Sequence, residues 1–220
     1  LVPVISKGKW DDAYEGALVL VPTKKAYLDI PVSCNDYGSL YPSIMQSENY
    51  SHDSKVWSRE YLLTGELIDE TGEKSIDGSY LYDNLPGLEY ETVKYDTYRW
   101  VKNPKKPTSK AKKHLKGYKL CRYVQTNEDS SDKAIIPAIL GEILAARKST
   151  RKLIPQQPNE FMKQVMNQRQ LGYKIVANSL YGGCGAKTST FYDIDIAACT
   201  TSTGQYLLHY AKDIVEKCYG

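Results

Sequence analysis

The feature that most narrows the fold is a pair of prolines, Pro155 and Pro158, set between two long stretches of helical periodicity. Proline inside a helix removes a backbone donor and clashes with the preceding turn, so it marks an end. Before the break, Pro137 to Leu153 sets Ile139, Ile143, Leu144 and Ala146 in an apolar pattern. After it, Phe161 to Tyr181 continues as a second helix, closed by Gly182-Gly183-Cys184-Gly185, since glycine commonly ends helices. Residues 133–183 therefore predict an antiparallel helix pair.

The remainder predicts strands, which makes the fold α+β. Residues 13–34 alternate apolar and polar and end in Ile30-Pro31-Val32, the pattern of strands. Residues 45–130 are polar and turn-rich, and read as an insertion with strands at Tyr90–Tyr98 and Tyr118–Val124. Residues 186–220 read as a turn or short strand, then a helix from about Cys199 to Cys218. Charge is segregated in the middle: Glu60–Asp96 carries ten acids and two lysines, whereas Thr97–Tyr123 carries eight lysines, two arginines and no acid. Such a basic block, Lys102–Lys119 above all, can contact phosphates. It equally fits a solvated loop neutralised by the acidic block before it.

With 41% hydrophobic and 25% charged residues, the chain has material for a core, which excludes disorder, collagen and coiled coil. No apolar run approaches the roughly 18 residues of a membrane span and no signal peptide opens the chain, so neither a membrane nor secretion is expected. Five scattered cysteines, with no Cys-x-x-Cys and no Cys/His cluster, argue against zinc and for free thiols in a reducing compartment. A chain that opens on Leu1 and stops at Gly220 in a helical pattern reads as a segment of a longer protein.

Three constellations carry chemistry. In Asn35-Asp36-Tyr37-Gly38-Ser39-Leu40-Tyr41-Pro42, an acid follows an apolar strand and precedes small residues. The amides of Ser39, Leu40 and Tyr41 can meet phosphate oxygens as the chain turns into a helix, and Asp36 can hold a hard divalent cation. The plainer alternative is an Asp helix cap and a Tyr in a core. On the first long helix, Arg147 and Arg151 share a face and offer forked donors for a polyphosphate. On the second, Lys174, Asn178 and Tyr181 share a face and suit phosphate, a polar edge and a planar base. Each helix alone also fits a solvated basic face. Their co-occurrence specifies a site for a metal-bound nucleoside triphosphate.

These residues resemble family B DNA-dependent DNA polymerases. Asp36 to Ile44 resembles motif A (D-x-x-S-L-Y-P-S-I), and Lys174 to Gly182 resembles motif B (K-x-x-x-N-S-x-Y-G). Ala146-Arg147-Lys148-Ser149-Thr150-Arg151 is similar to the fingers-helix signature R-K-x-x-K, and Tyr14-Glu15-Gly16-Ala17 to the template-contacting Y-x-G-G/A element. Tyr82–Gly87 and Cys121–Gln125 resemble segments in polymerases of large double-stranded DNA viruses, including those of algae and protists. The resemblance implies that Asp36 binds two Mg²⁺ ions together with a second aspartate, and that the Tyr37 carbonyl completes the coordination. It implies dNTP contacts from Ser39, Leu40, Tyr41, Arg147, Arg151, Lys174, Asn178 and Tyr181, with the Tyr41 ring excluding a 2′-hydroxyl. Tyr14, Gly16 and Gly182 would lie against DNA. Primer–template DNA and dNTP are the implied partners, a sliding-clamp processivity factor is admitted, and the setting is intracellular, in a host nucleus or cytoplasm.

The implied organisation is palm with motif A over 1–60, a charged palm-associated insertion over 61–132, fingers helices over 133–185, and a palm helix over 186–220 that stops before motif C. Motif C carries the second aspartate, so the chain by itself is expected to be inactive. Arg151 stands where the family usually has Lys, and Gln205 where it usually has Arg. A nucleic-acid-binding module and a degenerate polymerase homologue are the competing readings.

Overall fold

In a computed structural model, the structure describes residues 12–21, 24–29, 31–101, 112–126 and 133–219. Most of the basic block, 102–111, and Ile30 lie outside the described residues. Among the described residues five strands form one antiparallel sheet: β1 (Asp12–Tyr14), β2 (Lys55–Leu62), β3 (Leu67–Thr71), β4 (Glu89–Val101) and β5 (Lys112–Gln125), in the order β1-β4-β5-β2-β3. The described residues also form four α-helices: α1 (Leu40–Ser47), α2 (Ile135–Leu153), α3 (Glu160–Gly185) and α4 (Ile194–Tyr219). The α+β expectation holds.

The sheet sits elsewhere than the apolar alternation of 13–34 suggested. Among the described residues of that stretch only the end of β1 is strand, and 31–37, which holds Asp36, has no regular structure. A strand is held by its ladder partners. Among the described residues β4 pairs with β1 only through Arg99, Tyr98 and Thr97, and the chain near Asp36 is instead tied to α4 through Tyr37, whose hydroxyl donates to the Leu207 carbonyl at 2.9 Å. The charged middle supplies four of the five strands, and β4 and β5 extend the two strands expected there. A boundary at 60/61 falls inside β2.

The proline break appears as one 3-10 turn, Ile154–Gln156, between α2 and α3. α2 begins without a cap of its own; its first amides are met by the loop after α1, with Ala134 N–H on Asn49 Oδ1 and Ile135 N–H on Asp53 Oδ2, both at 3.0 Å. Asn159 caps α3 by accepting from the Met162 amide at 2.9 Å. α3 takes in Gly182–Cys184 and ends at Gly185, within the glycine stretch expected to close it. Those glycines make room: a methyl on Gly183 would lie 2.1 Å from Phe191 Cε2, and one on Gly185 2.8 Å from the Tyr14 hydroxyl. α4 starts at Ile194, ahead of Cys199, because the Asp193 carboxylate accepts from the Asp195 amide at 2.9 Å.

The main core lies between one sheet face and the helices, around Ile44, Met45, Tyr50, Tyr95, Cys121, Tyr123, Leu140, Ala177 and Ile196. A smaller cluster, Val56, Trp57 and Tyr80, packs the other face. Buried in the main interface is a set of charges. Lys55 bonds to Asp193 and lies 3.2 Å from Asp195; Lys119 Nζ and the Tyr95 hydroxyl each donate to Asp195 Oδ1 at 2.8 Å. Elsewhere the acidic and basic blocks neutralise one another, as in Lys116–Glu60 at 2.6 Å and Arg122–Asp83 at 2.6 Å. Lys113 pairs with Glu15 at 3.1 Å.

Burial alone would push the Asp195 carboxyl up, but Lys55 and Lys119 with the hydrogen bonds hold it well below the carboxylate range. A group depressed on folding stabilises above its unfolded pKa, about 3.9 for Asp, and that contribution is lost as pH falls through the folded value. Lys55→Met leaves two buried acids short of a cation and is expected to destabilise by about 3–5 kcal/mol. Urea midpoints check this: the deficit should be full at pH 7, and an unchanged midpoint would refute the role.

Candidate active site

The turn that follows Asp36 is strained at one residue. Ser39, the residue before α1, is left-handed at φ 59° and ψ 48°, a region that side chains other than glycine rarely occupy. Its hydroxyl does not cap the helix. It accepts a hydrogen bond from Arg147 Nη1 at 2.7 Å, so α2 reaches across to the turn. The same guanidinium donates through Nε to Gln170 Oε1 on α3 at 3.3 Å. Gln170 is buried, and its amide donates in turn to Asn167 Oδ1 at 3.0 Å.

Three tyrosines gather beside this bridge. The rings of Tyr41 and Tyr181 meet at 4.5 Å with a 35° tilt. Burial, with Tyr14 close by and hydrogen-bonded, pushes the Tyr181 hydroxyl up, and burial together with Tyr14 does the same to Tyr41. α4 forms the floor. A methyl on Gly204 would lie 3.2 Å from Tyr41 Cε1, so the bare backbone there lets α1 approach. Gln205 Nε2 donates to the Gly16 carbonyl at 2.7 Å, giving this glutamine a definite contact in the position where arginine was expected.

The structure thus brings together Ser39, Tyr41, Arg147, Tyr181 and Tyr14, with Leu40 half-buried at the start of α1. Gly16 is tied in through Gln205. Asp36 and Tyr37 lie on the exposed chain leading into the turn, and Arg151, Lys174, Asn178 and Gly182 are exposed on α2 and α3. Among the described residues no group of three or more His, Cys, Asp or Glu is placed to hold a metal ion. Asp193 and Asp195 are occupied by lysines. The Asp36 side chain is exposed just before the turn, and a single carboxylate completed by phosphate and water is an ordinary way to bind Mg²⁺.

Gln170 was missed from sequence, although it lies one turn before Lys174 in the same helical row. The Lys55–Asp195 cluster was also missed. Its members are up to 140 residues apart, and no local spacing announces them.

Two comparisons bear on this geometry. A family model described as DNA polymerase family B matches residues 1–219. The chain is 50% identical over 219 residues to a DNA polymerase of Phaeocystis pouchetii virus, covering all of this chain and 20% of that protein. It is 35% identical over 253 residues to a DNA polymerase of Pyramimonas orientalis virus (95% of this chain, 18% of that protein). It is 30% identical over 219 residues to the DNA polymerase delta catalytic subunit of Schizosaccharomyces pombe (all of this chain, 16% of that protein). The chain belongs to DNA polymerase family B, and it spans about a fifth of the length of the curated relatives it matches. Among the described residues no helix is long and apolar enough to cross a membrane.

Ser39→Ala removes the acceptor on which Arg147 Nη1 rests. Chemical denaturation should show a loss of about 1 kcal/mol, and an unchanged midpoint would mean that the bond contributes nothing to the fold.

Proposed function

We propose that this chain is the nucleotide-binding and metal-binding segment of a DNA-directed DNA polymerase, which adds deoxynucleotides to a primer 3′ end on a DNA template. The observation that carries the reading is the Arg147 bridge from α2 to the Ser39 turn, beside the Tyr41–Tyr181 contact. It joins the three sequence elements that resemble motif A, the fingers helix and motif B. On this reading the sheet with α1 and α4 is palm, and α2 with α3 is fingers.

The reaction is a nucleotidyl transfer. The primer 3′-oxygen loses its proton and bonds to the α-phosphorus, and the bond from that phosphorus to pyrophosphate breaks. Such chemistry is accelerated mostly by positioning and charge, so a protein nucleophile is not required. The amides of Ser39, Leu40 and Tyr41 face the triphosphate from the start of α1. Arg147, Arg151 and Lys174 neutralise it from the helix pair. Asn178 and Tyr181 lie beside the incoming base, and the Tyr41 ring closes the space beneath the sugar. Tyr14, Gly16 and Gly182 contact the DNA. The Asp36 carboxylate and the Tyr37 carbonyl would hold Mg²⁺, which when bound would supply activation of the attacking oxygen and neutralisation of the leaving group. A two-ion site needs a further carboxylate, so the 220 residues alone are expected not to extend a primer. The viral relatives support a role in copying viral DNA inside a host cell, with a sliding clamp as an admissible partner.

In the complete polypeptide, Asp36→Ala should lower primer extension by at least a thousandfold, on the order of the loss of an essential charge-stabilising group. Gel-resolved extension with Mg²⁺ and dNTP is the measurement, and extension near the unsubstituted rate would defeat the metal-binding role.

A further inference from the structure

We propose that Gln170 is a positioning residue for nucleotide binding: it fixes the Arg147 guanidinium so that the unused face of its fork meets the triphosphate next to Lys174. The inference rests on the polymerase reading above and assigns a task to a residue outside its motifs.

An arginine carries five N–H donors in a rigid plane and no acceptor. Two of the five are committed here on two different elements, Nε to Gln170 on α3 and one Nη1 hydrogen to Ser39 at the turn. Two anchors on separate elements fix the plane in both tilt and direction, whereas either alone would leave it free to swing. Three donors remain for phosphate oxygens. The choice of a neutral anchor matters. A carboxylate at this position would answer the guanidinium charge and weaken its pull on a triphosphate, while an amide oxygen orients the group and leaves the charge intact.

Gln170 is itself prevented from turning. It is buried, and its amide nitrogen is held by Asn167 one turn earlier, which sets the oxygen toward Arg147. Its place on α3 explains the pairing of cations. Positions 170, 174, 178 and 181 repeat at i, i+4, i+8 and i+11, so they share one face. Four residues of helix rise by about 6 Å, so binding Arg147 at Gln170 brings it within one turn of Lys174. Two cations from different helices thereby address one polyphosphate, and their spacing is set by a hydrogen bond rather than by their own mutual repulsion.

The test uses the complete polypeptide with primer–template DNA and a single correct dNTP. Gln170→Leu should raise the nucleotide KM roughly tenfold to a hundredfold, the range for losing a hydrogen bond to a charged group, with a much smaller change in kcat. The same substitution placed on Arg147→Ala should add less than twofold, because a residue that acts through Arg147 has nothing left to orient. Gln170→Asn, which keeps the amide on a shorter stem, should recover part of the affinity. Equal losses in both backgrounds, or a KM within twofold of the unsubstituted value, would overturn the proposal. Should Gln170→Leu fold poorly, judged by its urea midpoint, Gln170→Glu gives a second route. It keeps an acceptor for Nε but adds a negative charge, and should raise KM only if the charge of Arg147 is used on the nucleotide; an unaltered KM would overturn the proposal. If the unsubstituted polypeptide does not extend at all, or Asp36→Ala extends normally, it is the polymerase reading that fails rather than the Gln170 assignment.

Discussion

The rest of the structure depends on a buried ionic joint between the sheet and the start of α4. Lys55 and Lys119 enter from β2 and β5, Asp193 from just before α4, and Asp195 from its first turn. Charges taken out of water are tolerated only when paired and hydrogen-bonded, and here Tyr95 supplies the further bond. The joint fixes where α4 begins and which way it runs. α4 then serves as the reference for everything near the turn. Gly204 receives Tyr41, Thr203 meets the Tyr50 hydroxyl at 2.9 Å, Gln205 holds the Gly16 carbonyl, and the Leu207 carbonyl holds Tyr37. Remote ion pairing and local geometry at the turn are thus one construction.

The turn shows how a locally unfavourable conformation is kept. A left-handed serine costs on the order of 1–3 kcal/mol and gives up the capping bond that serines usually make at helix starts. In exchange, its hydroxyl points outward to Arg147. The helix pair is therefore coupled to motif A through a side chain that local propensity alone would have used otherwise.

Much of this was legible in the sequence, and the limits are physical. The proline break located α2 and α3, and the turn-punctuated middle was read with strands where β4 and β5 lie, because those signals are local. The rows Arg147/Arg151 and Lys174/Asn178/Tyr181 followed from helical repeat alone. What failed was inference from alternation without a partner. Residues 13–34 have the pattern of strand, yet among the described residues only the end of β1 finds a ladder there. Gly182, Gly183 and Gly185 read as a stop signal and α3 does end at Gly185, but that two of them also admit Phe191 and Tyr14 was not legible. Gln170 and the Lys55–Asp195 pair were invisible because their meaning lies in contacts between distant elements.

The connection between α2 and α3 has a mechanical consequence. α3 is anchored at its far end, where Ala177 and Cys184 are in the core, while Glu160 and Phe161 stand exposed beside the single 3-10 turn. From Asn178 back to Glu160 the helix extends about 27 Å at 1.5 Å per residue. Any tilt of α3 would therefore pivot near the tyrosine cluster. Tilting the helix by about 15° would carry the tip through roughly 7 Å at this length, while the residues at the pivot barely shift.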